Sequence, residues 1–130
     1  MTIFQLVLKY HGSKILGGRK MKYNVFNVVN EKGNTVKNQF NIVDGTNNIF
    51  VSYETQIAVL HNASAFIEII NNPFEYSRTT SKHFLNWLEN VLTNSKPVRK
   101  DVEQWIKDGS IPSAVNYLNT NIDIRIVNTF

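Results

Sequence analysis

The chain has 130 residues, 42% of them hydrophobic and 18% charged, and it contains no cysteine. That length fits one domain able to fold without staples, and the missing thiols exclude disulfides, a thiolate nucleophile and any cysteine-ligated metal. Net charge is +4, unevenly spread: residues 1–37 hold seven Lys/Arg against Glu31 alone, while residues 38–130 hold seven against nine acids. A basic end on a near-neutral body points to an anionic partner; without such a partner, the same lysines are ordinary exposed surface.

Thr2–Tyr10 reads as a strand, with Phe4, Leu6, Leu8 and Tyr10 on one face. A helix is the alternative there, since Ile3, Leu6 and Val7 also form a short stripe. The apolar run is too short to span a membrane and lacks a signal peptide's basic start, so a soluble, cytoplasmic protein without membrane association is expected. Gly12–Lys20, with Gly17 and Gly18, reads as a loop. Met21–Asn30 reads as a strand, Glu31–Asn34 as a hairpin turn and Val36–Val43 as the returning strand. Asp44–Asn48 forms the next turn. Ile49–Leu60 reads as one long strand, with Ile49, Val51, Tyr53, Thr55, Ile57 and Val59 on a common face. A short strand follows at Ala65–Ile70. Closely spaced strands with short turns imply an antiparallel meander. Asparagine is frequent, with 18 residues gathered near turns, as its tolerance of positive φ suits.

The pattern changes at Asn71-Asn72-Pro73. Thr80–Thr93 reads as a helix with Phe84, Leu85, Leu88, Val91 and Leu92 on one stripe, capped by Thr79 or Thr80. Pro97–Lys107 reads as a second helix, ended by Gly109, and Pro112–Leu118 as a short third. Ile122–Val127 closes the chain as a strand. The expected fold is α+β and single-domain over residues 1–130: a mostly antiparallel sheet, two to three C-terminal helices packed on one face, and a final strand returning to the sheet.

Catalysis finds little in the sequence. His11, His61 and His83 lie far apart with no metal-ligand spacing, and neither a nucleophile elbow nor a Walker loop is present. No cofactor is expected. Gly12-Ser13-Lys14 and Gly17-Gly18-Arg19-Lys20 loosely resemble phosphate loops but lack their spacing. The most distinctive stretch is Glu75-Tyr76-Ser77-Arg78-Thr79-Thr80-Ser81-Lys82-His83, which crowds hydroxyls and basic groups onto a helix start. A helix N-terminus offers free N–H groups and a positive dipole end, so an anion suits it; in the purely structural reading the hydroxyls cap the helix and close a turn. Basic side chains at that end fit the structural reading poorly, because they oppose the dipole.

Val51-Ser52-Tyr53-Glu54-Thr55-Gln56-Ile57-Ala58-Val59, followed by Glu75–His83 and Phe84-Leu85-Asn86-Trp87-Leu88, resembles a family of small accessory proteins of bacteriophages and prophages of low-GC Gram-positive bacteria. Their pattern is Ser-Tyr-x-Thr-x-Ile-Ala, a variable hairpin, then Tyr-Ser-x-Thr-Thr-x-Lys opening an apolar helix. Asn38-Gln39-Phe40 before Asp44-Gly45, and Val102–Ile111, fit the flanking segments, so the likeness covers residues 36–111, with Phe74-Glu75 departing from the usual Trp-Asp or similar before Tyr-Ser. The resemblance implies a phage accessory protein acting in the host cytoplasm and supplies no activity.

Two functions are expected. In the first the chain binds a host or phage protein complex, including a nucleoprotein such as a CRISPR effector, and inhibits or modulates it, with aromatics such as Tyr10, Tyr23 and Trp87 as anchors. In the second it binds nucleic acid directly through Lys14, Arg19, Lys20 and Lys22, extended by Arg78, Lys82 and His83. An enzyme is not expected.

Overall fold

The computed structural model describes residues 15–16, 19–20, 23–93, 95–116 and 122–130. Two short strands, β1 (Ile15–Leu16) and β2 (Arg19–Lys20), pair antiparallel within the segment expected to be loop. Five longer strands form the meander: β3 (Tyr23–Val29), β4 (Thr35–Asp44), β5 (Asn47–Ser52), β6 (Thr55–His61) and β7 (Phe66–Ile69). Three helices follow, α1 (Pro73–Tyr76), α2 (Arg78–Val91) and α3 (Arg99–Asp108), then β8 (Ser110–Ile111) and β9 (Ile124–Asn128). The main sheet has seven strands in the order β3-β4-β5-β6-β7-β9-β8, antiparallel throughout except where β9 runs parallel to β7. The α+β class, the meander and the returning strand all match the sequence reading.

Ile49–Leu60 is the main departure. It is two strands joined at Tyr53–Glu54, with Ser52 paired to Thr55 across the turn. Alternation continues unbroken through this stretch, and none of the usual turn residues marks the reversal. The turn instead holds Tyr53 at φ +56. A bulge on β6 adds a second correction. Phe50 pairs with Ala58 but Val51 with Gln56, so Ile57 is an extra residue. An extra residue reverses the alternation beyond it. Ile57 therefore joins Phe50, Ala58 and Leu60 in the main core, while Val59 faces the opposite side with Ile49 and Val51.

The main core lies between the sheet and the helices. Phe84, Leu88 and Val91 of α2, its C-cap Leu92 and Val102 of α3 pack on Phe50, Leu60, Ile67, Ile69, Ile124 and Ile126. Trp87 is fully buried in it and stacks on Phe50 and Phe84 at centroid distances of 5.6 and 5.9 Å. Its indole N–H reaches Asn41 Oδ1 at 2.9 Å. Trp87 is thus a core residue and offers no surface anchor; Tyr23 is buried too, and Tyr10 lies outside the described residues. A second apolar cluster of Tyr23, Phe40, Ile42, Ile49, Val51 and Val59 sits on the sheet's other face.

The helix bounds differ in detail. α2 starts at Arg78 and is capped by Ser77, whose Oγ accepts from Thr80 N at 3.0 Å, so neither Thr79 nor Thr80 is the cap. α3 ends on Gly109 in the left-handed conformation at φ +77, its N–H bonded to Trp105 O. Pro112–Val115 is a turn instead of a helix, with Asn116 bridged to Thr93; the rest of that expected helix, and the Thr2–Tyr10 strand, lie outside the described residues.

Candidate functional site

The segments that carry the sequence signature converge on one corner of the sheet. Between Asn27 and Val29 the pairing of β3 with β4 is irregular, and the excess residues on β4 include Asn38 at φ +64. Asparagine tolerates that conformation better than most residues. The Asn38 carbonyl accepts the Tyr53 N–H at 2.7 Å, which docks the β5–β6 turn onto this excursion. Gln39, next in sequence, pairs with Ser52 across β4 and β5.

The second half of the signature locks onto the first through hydroxyls. Ser52 Oγ and Thr80 Oγ1 are 2.7 Å apart and fully buried. Ser77 Oγ donates to Thr80 Oγ1 at 2.9 Å while accepting the Thr80 N–H. Ser81 Oγ lies 2.9 Å from the Pro73 carbonyl and 2.8 Å from the Ser77 carbonyl, sharing its proton between the turn of α1 and that of α2. Thr55 Oγ1 and Tyr76 Oη are 2.7 Å apart. The hydroxyls of Ser77, Thr80 and Ser81 are therefore occupied in joining α1, α2 and the β5–β6 hairpin. Buried polar groups need such partners. The Gln39 amide does not have one: both its polar atoms are sealed from solvent without a hydrogen bond.

What the signature leaves outside is different in kind. Tyr53 is 49% exposed and Tyr76 47% exposed. Arg78, Thr79 and Lys82 are exposed as well, with Arg78 and Lys82 one helical turn apart on one face. No acidic residue stands in the first turn of α2 to complement its dipole. His83 does not share this surface. It is buried, with Nδ1 2.9 Å from Asn86 Nδ2. Burial first, then Lys82 and Lys96, pushes its imidazole below the ordinary value of 6.5, with Glu31 opposing. Glu31, in the β3–β4 turn, is held low by a backbone hydrogen bond and by Lys96, whose Nζ is 3.2 Å away.

Of the other expected binding residues, Arg19 and Lys20 form β2, and Lys14 and Lys22 lie outside the described residues. From residue 23 onward the chain carries nine Lys/Arg against ten Asp/Glu, so the folded body is close to neutral and the excess basic charge belongs to the first 22 residues. Among the described residues no cluster of metal-ligating side chains occurs, and no helix is long and apolar enough to cross a membrane.

Tyr76 belongs to the Glu75–His83 stretch singled out in the sequence, whereas the exposure of Tyr53 was not expected. Tyr76 is an aromatic beside the helix start, a detectable signal; Tyr53 looked like one more member of an alternating strand.

The match that places the chain among known families spans residues 21–105, which contain the whole convergent corner. The chain belongs to DUF8033, a family of unknown function. No curated protein and no solved structure matches it. The DUF8033 region takes in β3 to β7, α1, α2 and most of α3, and leaves β8, β9 and all but two residues of the basic N-terminal segment outside.

Proposed function

We propose that this protein is a phage-type accessory protein that works in the host cytoplasm by binding, and that it inhibits or modulates a host defence or nucleic-acid-processing complex in the manner of an anti-CRISPR protein. One observation carries the reading. The signature's hydroxyls are used internally, and its exposed remainder is a set of aromatic and basic side chains on one corner: Tyr53, Tyr76, Arg78 and Lys82. Tyr and Arg are the side chains most enriched at binding hot spots. The sequence likeness to phage accessory proteins supplies the context.

The test is affinity capture from phage-infected Gram-positive cells with the tagged full chain. A defined host complex retained by the wild type, and lost on Arg78→Ala/Lys82→Ala, supports the proposal. Recovery of nucleic acid alone counts against it.

The concentration of excess positive charge in residues 1–22 favours a second reading, direct nucleic-acid binding through Lys14, Arg19, Lys20 and Lys22. It requires affinity that falls steeply with salt, by about one slope unit per phosphate contact. Absence of binding to duplex and single-stranded oligonucleotides at low salt rules it out.

A further inference from the structure

The main sheet is apolar on both faces. An antiparallel sheet that packs helices on one side commonly turns polar residues to water on the other. Here Tyr23, Phe40, Ile42, Ile49, Val51 and Val59 form an apolar cluster on the side away from the helices. All six come from strands β3 to β6, and the partly buried apolar side chains packed against them are Val25 and Ile70. Neighbours on one sheet face shield each other's flanks and leave the outward side open. Ile42 and Val51 are nonetheless 0% exposed and Phe40 3%. An open position on the same face reads differently: Val59 pairs with Glu68, Glu68 pairs with Val127, and Val127 is 37% exposed. A cover therefore lies over β3 to β6 and stops short of β9. The burial is reached within one chain, so a second copy is not what supplies it.

Position, side chains and charge point to the segment Thr2–Tyr10, which lies outside the described residues. Tyr23 opens β3 and belongs to the cluster, so the chain ahead of it enters the sheet at this face. Read as a strand, the segment offers Phe4, Leu6, Leu8 and Tyr10; read as a helix, it offers Ile3, Leu6 and Val7. Leu6 belongs to both sets. β1 offers only Ile15 and Leu16. The four strands to be covered span about 14 Å, and nine residues reach that far as a helix or a strand. Asp44, paired with Tyr23 beside the cluster, is 8% exposed, and its Oδ1 is sealed from solvent without a hydrogen bond. A buried carboxylate favours cations nearby, and residues 1–22 hold five Lys/Arg and no acid.

We infer that Thr2–Tyr10 docks its apolar side chains on this second face of the sheet. All six cluster residues lie within the DUF8033 region, residues 21–105, and the segment lies ahead of it. The family region thus carries a face whose cover comes from outside its own bounds. The inference is independent of the binding reading.

The chain has no cysteine, so one introduced thiol reports on one face. In the full chain, Val51→Cys places it under the proposed cover and Ala58→Cys places it in the main core as a control. Iodoacetamide labelling of each is compared with and without Leu6→Asp. Labelling of Val51→Cys accelerated at least tenfold by Leu6→Asp, with Ala58→Cys unchanged, supports the inference. Unchanged labelling of Val51→Cys overturns it. Acceleration by Leu16→Asp and not by Leu6→Asp assigns the cover to the β1–β2 hairpin, and protection lost on dilution assigns it to a second copy; each overturns the inference. If Leu6→Asp speeds both thiols alike, the variant has unfolded, and a nitroxide on Gln5→Cys in the otherwise unaltered chain decides. Broadening of the β4 and β5 amide signals, with those of α3 spared, supports the docking, and its absence overturns it.

Discussion

Ser52 and Thr80, 28 residues apart in sequence, share a hydroxyl–hydroxyl hydrogen bond of 2.7 Å with both side chains fully buried. The bond ties the end of β5 to the first turn of α2, and through Ser77 it reaches the cap of that helix. Replacing Thr80 by Val keeps the shape and removes the oxygen, leaving the Ser52 hydroxyl without its Thr80 partner and Ser77 Oγ with the backbone N–H of residue 80 alone. A buried group stripped of its hydrogen bond costs about 1–3 kcal/mol. Denaturant unfolding of Thr80→Val, Ser52→Ala and the double variant should give losses in that range and a coupling well above zero. Strict additivity would mean that the two hydroxyls do not act together.

Ser77 supplies the cap of α2. Ser77→Ala should lower stability by about 1 kcal/mol, and Ser77→Asp should restore most of it, since aspartate caps as well and suits the helix dipole. Thermal unfolding of the pair checks this; equal losses in both variants would show that the side chain acts by a route other than capping.

Gln39 gives a prediction of opposite sign. Its amide is buried with neither polar atom bonded, so the folded state carries an uncompensated desolvation cost. Gln39→Met, similar in size and apolar, should raise stability by about 1 kcal/mol or more. A loss instead would mean that the amide is satisfied in solution, by ordered water or a bound group.

His83 sets part of the acid limit. Its folded-state pKa lies below 6.5 because burial, Lys82 and Lys96 disfavour the imidazolium. The unfolded chain therefore takes up a proton before the folded one does. Stability from this group is flat above the ordinary histidine value. It falls as pH drops through 6.5 and levels off once the folded ring titrates, with a slope of at most about 1.4 kcal/mol per pH unit. Unfolding free energies between pH 8 and 5 should show this fall in the wild type and a shallower one in His83→Gln.

Asn90 clamps the edge of the sheet. Its side chain accepts from the Val29 N–H at 2.8 Å and donates to the Val29 carbonyl at 3.0 Å, in the manner of a neighbouring strand. Asn90→Ala should raise amide exchange at the end of β3 while leaving β5 and β6 protected, since edge segments open locally before the core does.

The fold class was readable because apolar alternation and helical stripes are local properties. Leu88, Val91 and Leu92 lie where the stripe puts them. The corner that matters most was not readable. Tyr53 sits in a reversal with no glycine, proline or asparagine, so the alternation of Ile49 to Val59 disguises two strands as one. Ile57 was misplaced for the related reason that a bulge has no signature in a run of apolar residues. Trp87 was taken for an anchor because an aromatic on a helix reads the same buried or exposed, and only its contacts with Phe50 and Asn41 decide. The crowd of hydroxyls at Ser77–Ser81 was visible, but which of them turn inward depends on Ser52 and Pro73, which come from other elements. Arg78 and Lys82 were correctly expected at a helix start, whereas His83 next to them is buried.

The central claim is that the signature builds a scaffold on its inner side and a binding surface on its outer side. The most direct measurement is the affinity of Arg78→Ala/Lys82→Ala for the host complex captured by the wild type, read beside its melting temperature. The account predicts affinity reduced at least tenfold with a melting temperature unchanged or slightly raised, since both side chains are exposed and oppose the dipole of α2. Wild-type affinity together with a lowered melting temperature would contradict it.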